Sequence, residues 1–149
     1  MIGSSAPDFS LPDHNGNLVR LSSFTGQKVV LFFYPQDDTP ACTKEVCSLR
    51  DGFPELSALN AVLIGISPDN AASHRAFREK YHLPFMLLSD PSHGVMEQWA
   101  AWGEKKLYGK SVIGVRRSTF VINEQGIIIA AIKRVLTISH AAQVIKHLV

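Results

Sequence analysis

Two short apolar runs restrict the fold of this chain more than any other feature. Lys28 to Tyr34 (KVVLFFY) and Ala61 to Ser67 (AVLIGIS) are unbroken, rich in β-branched and aromatic residues, and the second ends at Pro68-Asp69. A strand covered on both faces reads this way, whereas a strand with one wet face alternates. Between the runs, Pro40 to about Leu59 carries apolar positions at helical spacing. Strand, helix and strand over this length predict a right-handed βαβ crossover.

The remaining segments extend that unit. Asp8 to Leu11 and Leu18 to Leu21 flank Asn15-Gly16, a hairpin signal. A second helix fits Asn70 to Tyr81, stopped by Leu83-Pro84, followed by a short strand at Phe85 to Leu88. A third helix fits Ser92 to about Ala101. Ser118 to Ile122 and Ile127 to Ile132 bracket Asn123-Glu124-Gln125-Gly126, which predicts an antiparallel hairpin, and a last helix fits about Ser139 to Leu148. With no repeat, linker or composition break, residues 1–149 read as one domain. The expected class is α/β: a thioredoxin-like sandwich with an N-terminal β-hairpin extension and an added loop at Ala101–Arg117.

Composition removes several function classes. Fifteen basic and thirteen acidic residues leave a formal charge of +2, and no basic cluster exceeds Lys105-Lys106 or Arg116-Arg117. That balance predicts neither a nucleic-acid nor an anionic-membrane partner. No apolar run approaches the roughly 20 residues of a membrane-spanning helix. Met1 to Asp8 lacks the basic start and apolar core of a signal peptide, so the expected compartment is the cytoplasm. The chain has two cysteines, Cys42 and Cys47. A secreted disulfide scaffold would need more, joining distant segments; in a reducing compartment a close pair points to catalysis, redox sensing or metal binding.

Cys42 sits where the first buried strand gives way to a helix. Thr39 suits the N-cap, and Pro40 then takes the first helical position, where a missing N–H costs nothing. Cys42 becomes the third helical residue, among unpaired backbone N–H groups at the positive end of the helix dipole. Both favour a thiolate, the nucleophilic form of cysteine. An inert buried cysteine would suit mid-strand better than a place behind a Thr-Pro cap. A metal site is the weaker alternative: the spacing of the two cysteines allows it, but no second pair follows. His14, His74, His82, His93, His140 and His147 are scattered, and read as surface or helix-face residues. No metal or other cofactor is expected.

Five residues along an α-helix rise about 7.5 Å and rotate about 140°, which separates the two Cα atoms by roughly 8–9 Å. A disulfide needs less than about 7 Å. If both cysteines share one regular helix, Cys47 is either a buried spectator or a resolving thiol that waits for local unfolding.

At this point the residues resemble a known family. Pro35-x-x-x-Thr39-x-x-Cys42 matches the peroxidatic signature of peroxiredoxins, and YPQDDTPACTKEVCSLRD is similar to the bacterioferritin comigratory protein (peroxiredoxin Q) subfamily. The likeness runs from Ala6-Pro7-Asp8-Phe9 through Gly65-Ile66-Ser67-Pro68-Asp69, Leu88-Ser89-Asp90 and Trp102-Gly103-Glu104-Lys105 to Arg117-Ser118-Thr119-Phe120. It implies the peroxiredoxin fold and reduction of hydrogen peroxide and alkyl hydroperoxides by thiols alone. By position, it implies that Cys42 is the peroxidatic nucleophile and Cys47 the resolving thiol. Arg117 would hold the thiolate and polarise the peroxide, Thr39 would hydrogen-bond both, and Pro35 would shield the pocket. Thioredoxin is the implied reductant and a monomer the implied state. Arg116 and Arg117 point to opposite sides of an extended chain, and the resemblance selects Arg117. Two departures stand out: Ala41 replaces the usual glycine before the nucleophile, and Ala100-Ala101 replaces a typical Gly-Val.

Two other readings compete. A thioredoxin-type disulfide reductase would carry C-x-x-C at the helix start, which C-x-x-x-x-C does not match. A non-enzymatic thiol sensor or relay shares the first oxidation and differs only in where the oxidation then goes.

Overall fold

The computed structural model describes residues 1–149 and builds the expected sandwich around one five-stranded sheet. β1 (Ser10–Pro12) and β2 (Leu18–Arg20) form the N-terminal hairpin. β3 (Lys28–Phe33), α1 (Pro40–Asp51), α2 (Phe53–Ala58) and β4 (Ala61–Ser67) make the crossover, with β3 and β4 parallel. Then come α3 (Ala71–Tyr81), β5 (Met86–Ser89), α4 (Gly94–Gln98), β6 (Trp102–Leu107), β7 (Lys110–Val115), β8 (Ser118–Ile122), β9 (Ile128–Ile132) and α5 (His140–Ile145). The sheet order is β5-β4-β3-β8-β9, with β8 and β9 antiparallel to the strands beside them.

β3 is the central strand, and its alternate side chains feed two separate cores. Val30, Phe32 and Tyr34 pack with Cys42, Val46 and Leu49 of α1, with Phe77 of α3 and with Val144 of α5. Val29, Leu31 and Phe33 pack on the other face with Leu11, Met96, Trp99 and Phe120. Burial on both faces is the reason the run reads as continuous rather than alternating.

Three details differ from expectation. The helix expected from Pro40 to about Leu59 is two helices broken at Gly52. Pro54 has no N–H to offer the Arg50 carbonyl, and a side chain at Gly52 would run into Ala141 Cβ at 2.6 Å. α4 is shorter than predicted, because Ala100 turns left-handed (φ 56°) and Ala101 N–H closes back on the Met96 carbonyl at 2.7 Å. The segment 101–117, expected as a loop, is largely the β6–β7 hairpin, turned by Tyr108 and Gly109, both at positive φ. Its strand residues, Val115 apart, are exposed or half-buried, so no hydrophobic alternation marks it. No helix is long and apolar enough to cross a membrane.

Candidate active site

The carboxyl end of β3 and the start of α1 place Cys42. Thr39 is extended (φ −93°, ψ 157°), Pro40 opens the helix, and the Thr43 N–H donates to the Thr39 carbonyl at 2.8 Å. The Thr39 hydroxyl, expected to cap the helix, instead donates to the Gln36 carbonyl at 2.9 Å. It closes the loop onto itself rather than the helix end. Pro35 follows Tyr34 directly and is half-buried at the mouth of this loop. Cys42 is third in the helix and 1% exposed.

Strand register brings the arginine. Phe33, the last residue of β3, pairs with Ser118, the first of β8, so residue 117 lies at the sheet end where α1 begins. Arg117 Nη2 donates to Cys42 Sγ at 3.2 Å, and Nη1 donates to Glu45 Oε1 at 2.5 Å. Arg116 points away: its Nε donates to the Glu104 carbonyl at 3.0 Å and its guanidinium lies over Gly103. A guanidinium keeps its charge at any working pH, so Arg117 offers Cys42 both a hydrogen bond and a fixed positive charge.

Glu45 is the residue that sequence reasoning missed. It follows Cys42 by three positions, and with Cys42, Val46 and Leu49 it forms the buried face of α1. A carboxylate inside that apolar series was the available signal. Burial pushes its pKa up to about 7, although the charge and hydrogen bond of Arg117 pull it down. Burial also works against the charge on Arg117, but Glu45 and Cys42 hold its pKa above the ordinary value.

His140 lies behind the ion pair, on the inward face of α5, and is wholly buried. Its Nδ1 meets Gln143 Oε1 at 2.9 Å, an acceptor, so Nδ1 carries the proton. Nε2 is then free to accept from the Thr119 hydroxyl at 2.8 Å. Burial holds the His140 pKa below its ordinary value, in keeping with a neutral ring. Nε2 is 3.6 Å from Glu45 Oε2, an oxygen with no hydrogen-bond partner.

Cys47 is half-buried, also a free thiol, and lies in the same helix as Cys42. The regular helix keeps the pair roughly 8–9 Å apart between Cα atoms, so no disulfide closes in this conformation. His74, on the inward face of α3, is wholly buried against the loop before α1.

The chain matches the AhpC/TSA family over residues 2–131. It is 42% identical over 147 residues to peroxiredoxin Bcp of Bacillus subtilis, covering 99% of this chain and 94% of that one. Peroxiredoxin Bcp of Escherichia coli K12 is 45% identical over 124 residues, covering 83% of this chain and 80% of its own. Among solved structures, a cysteine-to-serine variant of Xylella fastidiosa PrxQ superposes with a TM-score of 0.92 at 32% identity, covering 99% of this chain and 94% of that one. The bacterioferritin comigratory protein of Xanthomonas campestris, solved in a study of its alkyl peroxide reduction activity, superposes with a TM-score of 0.87 at 32% identity over 94% and 89% of the two chains.

Proposed function

The chain belongs to the AhpC/TSA family, with Bcp and peroxiredoxin Q proteins as its relatives, and on that premise we propose how its residues divide the work of a thiol peroxidase. The enzyme reduces hydrogen peroxide and organic hydroperoxides through cysteine chemistry. The observation that carries the residue assignment is the 3.2 Å contact from Arg117 to Cys42.

The Cys42 thiolate attacks the terminal oxygen of the hydroperoxide. An S–O bond forms, the O–O bond breaks, and the alkoxide or hydroxide takes a proton and leaves as alcohol or water. Arg117 stabilises the thiolate beforehand and the negative charge that moves onto the leaving oxygen. Glu45 holds the guanidinium from behind and leaves its other edge for sulfur and peroxide. Pro35 offers no N–H to hold water at the mouth of the site. The Thr39 hydroxyl is the group in the loop that swings from the Gln36 carbonyl to the sulfur and substrate when both are present.

Cys42 then carries a sulfenic acid. Cys47 attacks that sulfur, a disulfide forms, and the oxygen leaves as water. Two electrons from an external dithiol restore both thiols, and thioredoxin is the reductant we assign. This cycle needs a reducing compartment, and the cytoplasm provides one.

The decisive test couples peroxide consumption to thioredoxin, its reductase and NADPH. Sustained consumption over many equivalents supports the scavenging cycle. A single equivalent per chain, with thioredoxin competent toward a control disulfide, would convert the reading to a thiol relay.

A further inference from the structure

The loop between β3 and α1 contains two aspartates that the reaction above does not use, and both are bound to α3. Asp37 is 8% exposed and precedes Thr39 by two residues. Its Oδ1 accepts from the Tyr34 hydroxyl at 2.6 Å. Its Oδ2 accepts from the Ser73 hydroxyl at 2.7 Å and faces His74 Nδ1 at 2.7 Å. Its backbone N–H donates to Asp69 Oδ2 at 2.7 Å, and the Ser67 hydroxyl donates to the same oxygen at 2.8 Å. Asp38, held left-handed (φ 57°), accepts from Lys80 Nζ at 2.8 Å and from the Tyr81 hydroxyl at 2.9 Å.

Hydrogen-bond inventory fixes the protons at His74. Its Nε2 faces the Leu88 carbonyl at 3.1 Å, and a carbonyl only accepts, so Nε2 carries a proton. Nδ1 faces a carboxylate oxygen, so a second proton lies between the ring and Asp37. Whichever atom holds that proton, the pair adds no net charge to the interior. A buried, fully partnered pair of this kind is costly to break, because one member is then left without its partner. Asp37, Asp69 and His74 bring three ligand-type atoms within 4.8 Å. The Asp37 oxygens already take two hydroxyl donors and the proton shared with His74, however, so the cluster is a filled hydrogen-bond network.

We propose that the Asp37–His74 pair is the fixed anchor against which the first turn of α1 unwinds and rewinds, a positioning device that favours the peroxide-reactive conformation of Cys42 over the disulfide-forming one. This rests on the division of labour between Cys42 and Cys47 proposed above. Both cysteines lie in α1, so peroxide attack uses the wound turn while disulfide formation uses the unwound one. A loop held to α3 keeps Pro35 and Thr39 in place and gives the turn a template to re-form on. With the anchor removed, the equilibrium moves toward the open form. The two chemical steps then respond in opposite directions, which general destabilisation would not produce.

The test is quench-flow with mass spectrometry on the full chain, timing sulfenic acid and disulfide separately. Asp37→Asn keeps the side-chain shape but places an amide where two donors point. It slows oxidation by hydrogen peroxide about tenfold, the factor expected for one hydrogen bond to a charged group, and leaves disulfide formation as fast or faster. More peroxide is then needed to reach sulfinic acid, since Cys47 intercepts sooner. Ser73→Ala removes one donor at a half-buried surface, slows oxidation by about threefold while leaving disulfide formation as fast or faster, and carries the test if Asp37→Asn does not fold. Ile128→Ala, in the core on the other face of the sheet, is the control for lost stability. Both steps slowing together, or both variants matching Ile128→Ala, overturns the anchor. If the wild type forms no Cys42–Cys47 disulfide at all, the cysteine assignment falls, and the anchor with it.

Discussion

Arg117 and Glu45, 72 positions apart in sequence, meet at 2.5 Å beneath the Cys42 sulfur. The guanidinium is therefore clamped from inside the protein, and only its outer edge is available for chemistry. In the proposed reaction, clamping of this kind would set a fixed charge beside the sulfur without reorganisation at the moment of reaction.

The first prediction separates the two neighbouring arginines. Arg117→Ala should slow the initial oxidation of Cys42 by at least a hundredfold, the scale on which one electrostatic donor is lost. Arg116→Ala, whose side chain lies over Gly103, should change it little. Cys42→Ser should abolish peroxide consumption, because a serine hydroxyl is not appreciably ionised at neutral pH. Stopped-flow oxidation rates for the three variants check this, and equal rates for the two arginine variants would refute the strand-register account.

Stability should depend on pH through Glu45. The carboxyl ionises near 4.5 when unfolded and near 7 in place. The folded chain thus holds the proton more tightly, a contribution fully present below about pH 4.5 and lost as pH rises to about 7. Its size is on the order of 3 kcal/mol. Urea melts of wild type and Glu45→Gln across that window should diverge by this amount, with the wild-type curve the steeper; parallel curves would mean that Glu45 does not titrate there.

Cys47→Ser should still consume one peroxide per chain and then stall as sulfenic acid, passing on to sulfinic acid as peroxide rises. In wild type, the amides of about Ala41 to Leu49 should exchange faster in the oxidised form than in the reduced one, since the disulfide requires that turn to open. Peptide mapping that found a link between chains, in place of Cys42–Cys47, would remove the resolving role.

The two alanine departures give opposite expectations. Ala41 is the second residue of α1, and Ala41→Gly should loosen that turn by about 1 kcal/mol, hastening disulfide formation about fivefold. Ala100 sits left-handed at the end of α4, where a side chain is strained. Ala100→Gly should therefore raise stability by about 1 kcal/mol, measurable as a higher Tm.

Much of this was legible in the chain itself. The apolar runs located β3 and β4, and the Thr-Pro pair located the start of α1 and the thiol within it. The β6–β7 ribbon was not legible, because a hairpin wet on both faces leaves no periodic signal. Nor were the partners of the buried polar groups. Glu45 and Arg117, or Asp37 and His74, become neighbours only through sheet register and helix packing, which no local pattern encodes. His74 and His140 look in sequence like any other helical histidine; burial alone distinguishes them.

The base of the β6–β7 ribbon carries a consequence for variation and engineering. The Arg116 N–H donates to the Ala101 carbonyl at 2.7 Å, so the excursion from 102 to 115 leaves and returns at one closed point. Trp102, stacked on His93 at 3.5 Å, and the buried Val115 secure that point from both strands. Residues inserted or deleted at the Tyr108-Gly109 tip are thus insulated from Arg117. The ribbon can be lengthened, shortened or fused to another peptide while the distance from the guanidinium to sulfur stays as it is.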